Sequence, residues 1–115
     1  MLKINILGIN YEILFKNEQQ EIRLKENWGF TDFHTKQIFI REDIQKETKD
    51  SCKNLYDFYK KVLRHEILHA FLYESGLREN SFKPYAWAEN EEMIDWFAIQ
   101  FPKILNAYKE LKIES

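Results

Sequence analysis

The sequence predicts an α+β fold in which a small antiparallel or mixed sheet from the N-terminal half packs on a central helix and a C-terminal helix. Three observations predict it. Residues 2–15 and 28–40 are rich in β-branched and aromatic side chains, broken by glycine and polar stretches. Residues from about Asp50 to Ser75 are apolar on nearly every side of a helix and run into Gly76. Residues from about Glu89 to Lys112 align Ile94, Ala98, Phe101, Leu105 and Tyr108 on one helical stripe.

Taken in order, Ile4, Ile6 and Ile9 alternate with Lys3, Asn5 and Leu7 as a first strand, and Gly8 to Asn10 offers a turn. Tyr11 to Phe15 continues as a second extended run with imperfect alternation. Residues 17–21 are polar and read as loop or frayed helix. Trp28 to Ile40 reads as one or two strands ending in Ile38-Phe39-Ile40, with Gly29 as punctuation. Asp50 or Ser51 caps the central helix, whose middle carries Leu55, Phe58, Val62, Leu63, Ile67, Leu68, Ala70, Phe71 and Leu72, so burial is expected. Residues 77–88 form a connection holding Pro84, Tyr85 and Trp87. Pro102 falls inside the last helix and predicts a kink or break near Gln100.

Composition bounds the function. With 115 residues the chain is expected to be one domain, 1–115, that buries roughly two-thirds of its unfolded surface. A net charge of −2 gives no electrostatic footprint for nucleic acid or anionic membrane, despite the cluster of Lys60, Lys61 and Arg64, so no nucleic-acid partner is expected for this chain alone. No apolar run approaches the roughly 20 residues that cross a bilayer, and the N-terminus lacks the order of a signal peptide. The single cysteine, Cys52, excludes an internal disulfide and a cysteine-based zinc cage, and reads as an ordinary thiol near a helix start. Together these absences predict a cytoplasmic protein.

The informative motif is His65-Glu66-Ile67-Leu68-His69, which uses two of the three histidines. On a helix the histidines stand one turn apart on one face and can share a metal ion, while Glu66 is placed to accept a proton from a water on that metal. A chance match is expected in roughly a few per thousand chains of this length. The motif lies in the most apolar part of its helix, where charged groups need partners and a cation would be one.

A catalytic zinc ion takes three protein ligands and leaves one position open. His34 is the only other histidine, so a carboxylate from the last helix is the expected third ligand, from among Glu89, Glu91, Glu92 and Asp95. Extending the apolar stripe back one turn reaches Glu91 and predicts that it projects on the buried side. Glu89 and Glu92 lie off the stripe as solvated acids near a helix N-terminus, a placement also open to Glu91. Asp95, at i+4 from Glu91, either orients a ligating histidine or is a surface acid beside Trp96.

With these residues the chain resembles the gluzincin metallopeptidases, whose thermolysin-like members carry N-E-x-x-x-D on the second helix, as in Asn90-Glu91-Glu92-Met93-Ile94-Asp95 here. It is also similar to the compact ImmA/IrrE-type metallopeptidases of phages and mobile elements. There Glu91, Phe97 and Ala98 match and Ile94 replaces the usual small residue. The resemblance implies a minimal zincin-like core, one Zn2+ ion held by His65, His69 and Glu91, Glu66 as general base, and Asp95 as the orienting partner of His65. It further implies that Phe33 to Ile40 is an edge strand that pairs with an extended peptide, where a plain interior strand is the alternative. Leu72 and Ser75 exclude a metzincin, and no helix-turn-helix module is present. No residue matches the oxyanion-stabilising position of larger gluzincins; His34, Tyr73 and Tyr85 are candidates by chemistry alone.

Three functions follow as expectations. The first is a zinc-dependent endopeptidase acting on a peptide or protein. The second is a zinc-binding regulatory or interaction protein of a phage or mobile element that cleaves little or nothing. The third is a metal-free helical interaction protein. Substrate and oligomeric state stay open.

Overall fold

The computed structural model describes residues 2–44, 55–80 and 90–115. The expected caps at Asp50 or Ser51, Cys52, and the connection holding Pro84, Tyr85 and Trp87 lie outside the described residues. Strands β1 (Leu2–Ile6), β2 (Ile9–Lys16), β3 (Gly29–Asp32) and β4 (Gln37–Arg41) precede the helices α1 (Leu55–Glu74), α2 (Leu77–Asn80) and α3 (Glu91–Glu110), with short 3-10 turns at Ile22–Leu24 and Glu42–Ile44. The α+β class and the N-terminal sheet are as expected. Part of the expected connection at 77–88 instead forms α2.

The four strands make one mixed sheet in the order β1-β2-β4-β3. β1 and β2 are antiparallel, β2 and β4 parallel, β3 and β4 antiparallel. The β1–β2 hairpin turns at Leu7 and Gly8, both at positive φ, and β2 already starts at Ile9, whose side chain is exposed. Two left-handed residues suit the tight two-residue hairpin, at a cost for Leu7. Asn5 steadies it by accepting from the Gly8 N–H and donating to Asn10 Oδ1.

On one face of the sheet, Tyr11, Ile13, Ile38 and Ile40 join Ile6 and Ile44 against Val62 and Ala70 of α1. β4 lies between β2 and β3 and is buried on both faces, since Phe39 is buried on the other side under Arg23. Trp28 to Ile40 thus divides into two strands joined by a turn at 33–36. The strand expected at the edge is interior, as in the alternative reading, and β3 is an edge strand, with β1 at the opposite side of the sheet. The register puts Gly29 and Thr31 of β3 beside Ile40 and Ile38, on the face toward α1. Where β2 and β4 present large apolar groups to the helix, β3 presents small ones.

α1 ends as expected, with Gly76 at φ +83 after Glu74 and its N–H bonded to the Tyr73 carbonyl. The helix is less enclosed than its composition suggests, because Phe71 is exposed. α3 begins one turn before Ile94 with Asn90 as its N-cap, the side-chain oxygen accepting from the Met93 N–H at 2.9 Å. The stripe is buried at Ile94 and Ala98 but exposed at Phe101 and Tyr108, since α1 covers only its first half.

α3 runs unbroken across Pro102, so of the kink or break expected near Gln100 the break is absent. Proline has no N–H to offer the carbonyl of residue i−4, here Ala98. Arg64 Nε of α1 donates to that carbonyl instead. The bond lost within α3 is replaced by one between the helices. Arg64→Met, which keeps the aliphatic stem and removes the donor, should therefore lower stability by about 1–3 kcal/mol in urea unfolding.

Candidate metal centre

α1 and α3 run antiparallel where they meet, since His69 and His65 face Glu91, His65 and Lys61 face Asp95, and Arg64 faces Ala98. His65 and His69 stand one turn apart on α1, and Glu91 is the first residue of α3 after its Asn90 cap. Their donor atoms converge. His65 Nε2 lies 3.2 Å from His69 Nε2 and 2.8 Å from Glu91 Oε2, and His69 Nε2 lies 3.3 Å from the same oxygen. These three residues form a group with metal-ligand atoms all within 4.8 Å of one another.

The arrangement suits a tetrahedral ion. Zinc–ligand bonds of about 2.0–2.1 Å place neighbouring donors roughly 3.3 Å apart, close to two of the three distances here. The protonation pattern suits it as well. With an ion bound, the ring proton would sit on His65 Nδ1, 3.3 Å from Asp95 Oδ1, leaving the Nε2 lone pair for the metal; without one, Nε2–H donates to Glu91. Lys61 Nζ, at 3.5 Å, reaches the same Asp95 oxygen.

Electrostatics reflect the crowding. Hydrogen bonds from His65 and His69, against partial desolvation, hold the Glu91 carboxyl well below the usual carboxylate range. Burial opposes charging of His65, but its bond to Glu91, the charges of Glu66 and Glu91, and Asp95 together raise its pKa. Such a set of donors around one point, rich in lone pairs and negative charge, is what a divalent cation satisfies.

Glu91 reaches the histidines from the open side. Its side chain is 67% exposed, which corrects the expectation that it projects on the buried side. At the N-terminal end of the stripe the carboxylate stands over a cavity rather than in a core, while its oxygens still meet His65 and His69 of α1. The positive end of α3 favours the negative charge at this position.

Glu66 is the opposite case, 7% exposed. Its carboxyl pKa is raised by burial, against the lowering effects of Thr31 and the two histidines. Thr31 Oγ1 lies 2.7 Å from Glu66 Oε1 and 3.1 Å from the Glu66 carbonyl. Gly29 permits this approach, because a Cβ there would stand 2.9 Å from Glu66 Cγ and 3.0 Å from Val62 Cγ1. Neither Gly29 nor Thr31 is part of any sequence motif. Small residues two apart on the face of a strand are the only signal that could have found them.

The cluster opens onto a cavity of about 850 Å³ that follows β3 from Asn27 to His34 and the facing side of α1 from Phe58 to His69. His34, in the β3–β4 turn, lines it and is exposed. Tyr73 is not brought there. Its ring stacks on Phe33 at 4.5 Å between centroids, with Lys36 Nζ above it. Tyr85 lies outside the described residues. Asp95→Ala should leave the fold intact and weaken zinc binding about 10- to 100-fold, measured by competition with a chromophoric chelator. No protein-family profile, curated protein or solved structure matches this chain.

Proposed function

We propose that this chain is a small zinc-dependent peptidase in which His65, His69 and Glu91 hold the ion, with a zincin-like arrangement of the HExxH helix and edge strand. The observation that carries this is the placement of a buried carboxylate, Glu66, beside three converging ligand atoms at the mouth of a cavity. Zinc held there supplies Lewis acidity, polarising a carbonyl and acidifying water. Glu66 accepts a proton from the attacking water as the new C–O bond forms, and passes it to the nitrogen so that the amide C–N bond then breaks and the amine departs. Burial raises the basicity of Glu66, the direction that a proton acceptor needs.

The outer edge of β3 supports a peptide substrate. The Trp28 carbonyl accepts the Arg41 N–H, so in the antiparallel ladder Phe30 and Asp32 also bond toward β4. The backbone groups of Gly29 and Thr31 therefore point away from the sheet, and among the described residues none pairs with them. An extended peptide added there would run along the cavity past Glu66. Of the oxyanion candidates among the described residues, His34 is the one that lines the cavity.

No helix among the described residues is long and apolar enough to cross a membrane. The single cysteine fits a reducing compartment such as the cytoplasm. A second reading, zinc as a staple with no cleavage, draws on the fact that the ligands join α1 to α3. The experiment that separates the two measures zinc content and cleavage of unfolded casein by the wild type and by Glu66→Gln.

A further inference from the structure

Glu66 and Thr31 are the only buried polar or charged side chains among the described residues, and they are bonded to each other. Thr31 is remote in sequence, belongs to the edge strand, and touches neither the histidines nor Glu91 in any hydrogen bond. We propose that Thr31 is a positioning residue that fixes the carboxylate of Glu66, leaving Oε2 as the oxygen that accepts the proton. This rests on the assignment of Glu66 as the proton acceptor.

Three features carry it. The hydroxyl has one hydrogen, and the shorter contact, 2.7 Å, is to Oε1, while its second contact is to the carbonyl of the same Glu66. The one hydrogen thereby ties the carboxylate to β3, and the longer contact only sets the hydroxyl close to the backbone of that turn of α1. The β-branch of threonine restricts χ1, and burial holds the hydroxyl in place. Glu66 Oε2 receives no hydrogen bond from the described residues and lies on the Gly29 side, 3.2 Å from where a Cβ would stand. Gly29 keeps that space clear, and Thr31 keeps the carboxylate turned toward it.

The two ends of Thr31 also have different partners. Its backbone faces the outer edge where a peptide would pair, and its side chain faces Glu66. Removing the hydroxyl leaves the edge intact, so the loss should fall on turnover and spare substrate affinity.

The test uses the full zinc-loaded chain, with casein-derived peptides as substrate, and metal-free crystals of the same variants. Thr31→Val should lower kcat roughly ten- to a hundredfold with KM changed less than about twofold, and Thr31→Ser should restore kcat to within about threefold of wild type. In metal-free Thr31→Val crystals the Glu66 carboxylate should leave its wild-type orientation, while in Thr31→Ser it should keep it. If Thr31→Val does not fold, Thr31→Ala carries the same comparison. Unchanged kcat together with an unmoved carboxylate in the hydroxyl-free variant overturns the proposal. Full activity in Glu66→Gln overturns the peptidase assignment itself. Loss of activity in Glu66→Gln but not in Thr31→Val removes only the role of Thr31.

Discussion

Glu66→Gln should bind a full equivalent of zinc and cleave at least about a hundredfold more slowly than the wild type. The glutamine amide has nearly the shape of the carboxylate, and its oxygen can still accept from Thr31, so the strand–helix contact survives. It cannot take a proton from water. Positioned acid–base groups contribute about 10²- to 10⁴-fold, which sets the scale of the loss. Because the replaced carboxyl is buried, the neutral side chain also avoids a desolvation cost, and the chelated variant should unfold at a Tm no lower than the wild type. The measurements are metal analysis, kcat/KM and a thermal melt on one preparation. Equal activity in the two proteins rules out catalysis through Glu66.

Glu91→Ala should lose zinc binding by about 10²- to 10³-fold, as should His65→Ala and His69→Ala. Structural zinc sites with four ligands are worth about 10–16 kcal/mol, or roughly 2.5–4 kcal/mol for each ligand. Since the three donors join α1 to α3, zinc at a hundred times its Kd should raise wild-type stability by about 2.7 kcal/mol. The same addition should leave the Glu91→Ala variant unmoved. Calorimetric titration and melts with and without chelator read both effects. A wild-type zinc affinity in Glu91→Ala would remove α3 from the site.

Much of this was legible in the chain because local patterns carry it. The pentapeptide with its one-turn spacing, the helix around it, and Gly76 at its end are each local, and all three hold, though the helix is less buried than its apolar composition predicts. Glu91 was found by extending a stripe, but for a partly mistaken reason. A helical wheel gives direction and not whether the space ahead is a packed core or an open cavity. The edge strand was misplaced because strand order is not a local property. Ile38-Phe39-Ile40 has no polar alternation, and that is what burial on both faces looks like once β2 is known to pair with it. Thr31 was invisible for the same reason. A threonine in Gly-Phe-Thr-Asp acquires its role only when β3 is laid against α1.

Pro102 looks different once its place between the helices is known. Along the chain, an internal proline forecasts a bend; across the interface, it marks a carbonyl that another element can claim. Arg64 claims it, one residue before His65, and Ala98 lies two turns along from Glu91, about 10 Å by helical rise. A one-residue slide of α3 would carry that carbonyl out of the guanidinium's reach and shift Glu91 with it. The proline thus works as an index mark that sets how high Glu91 stands above the histidines.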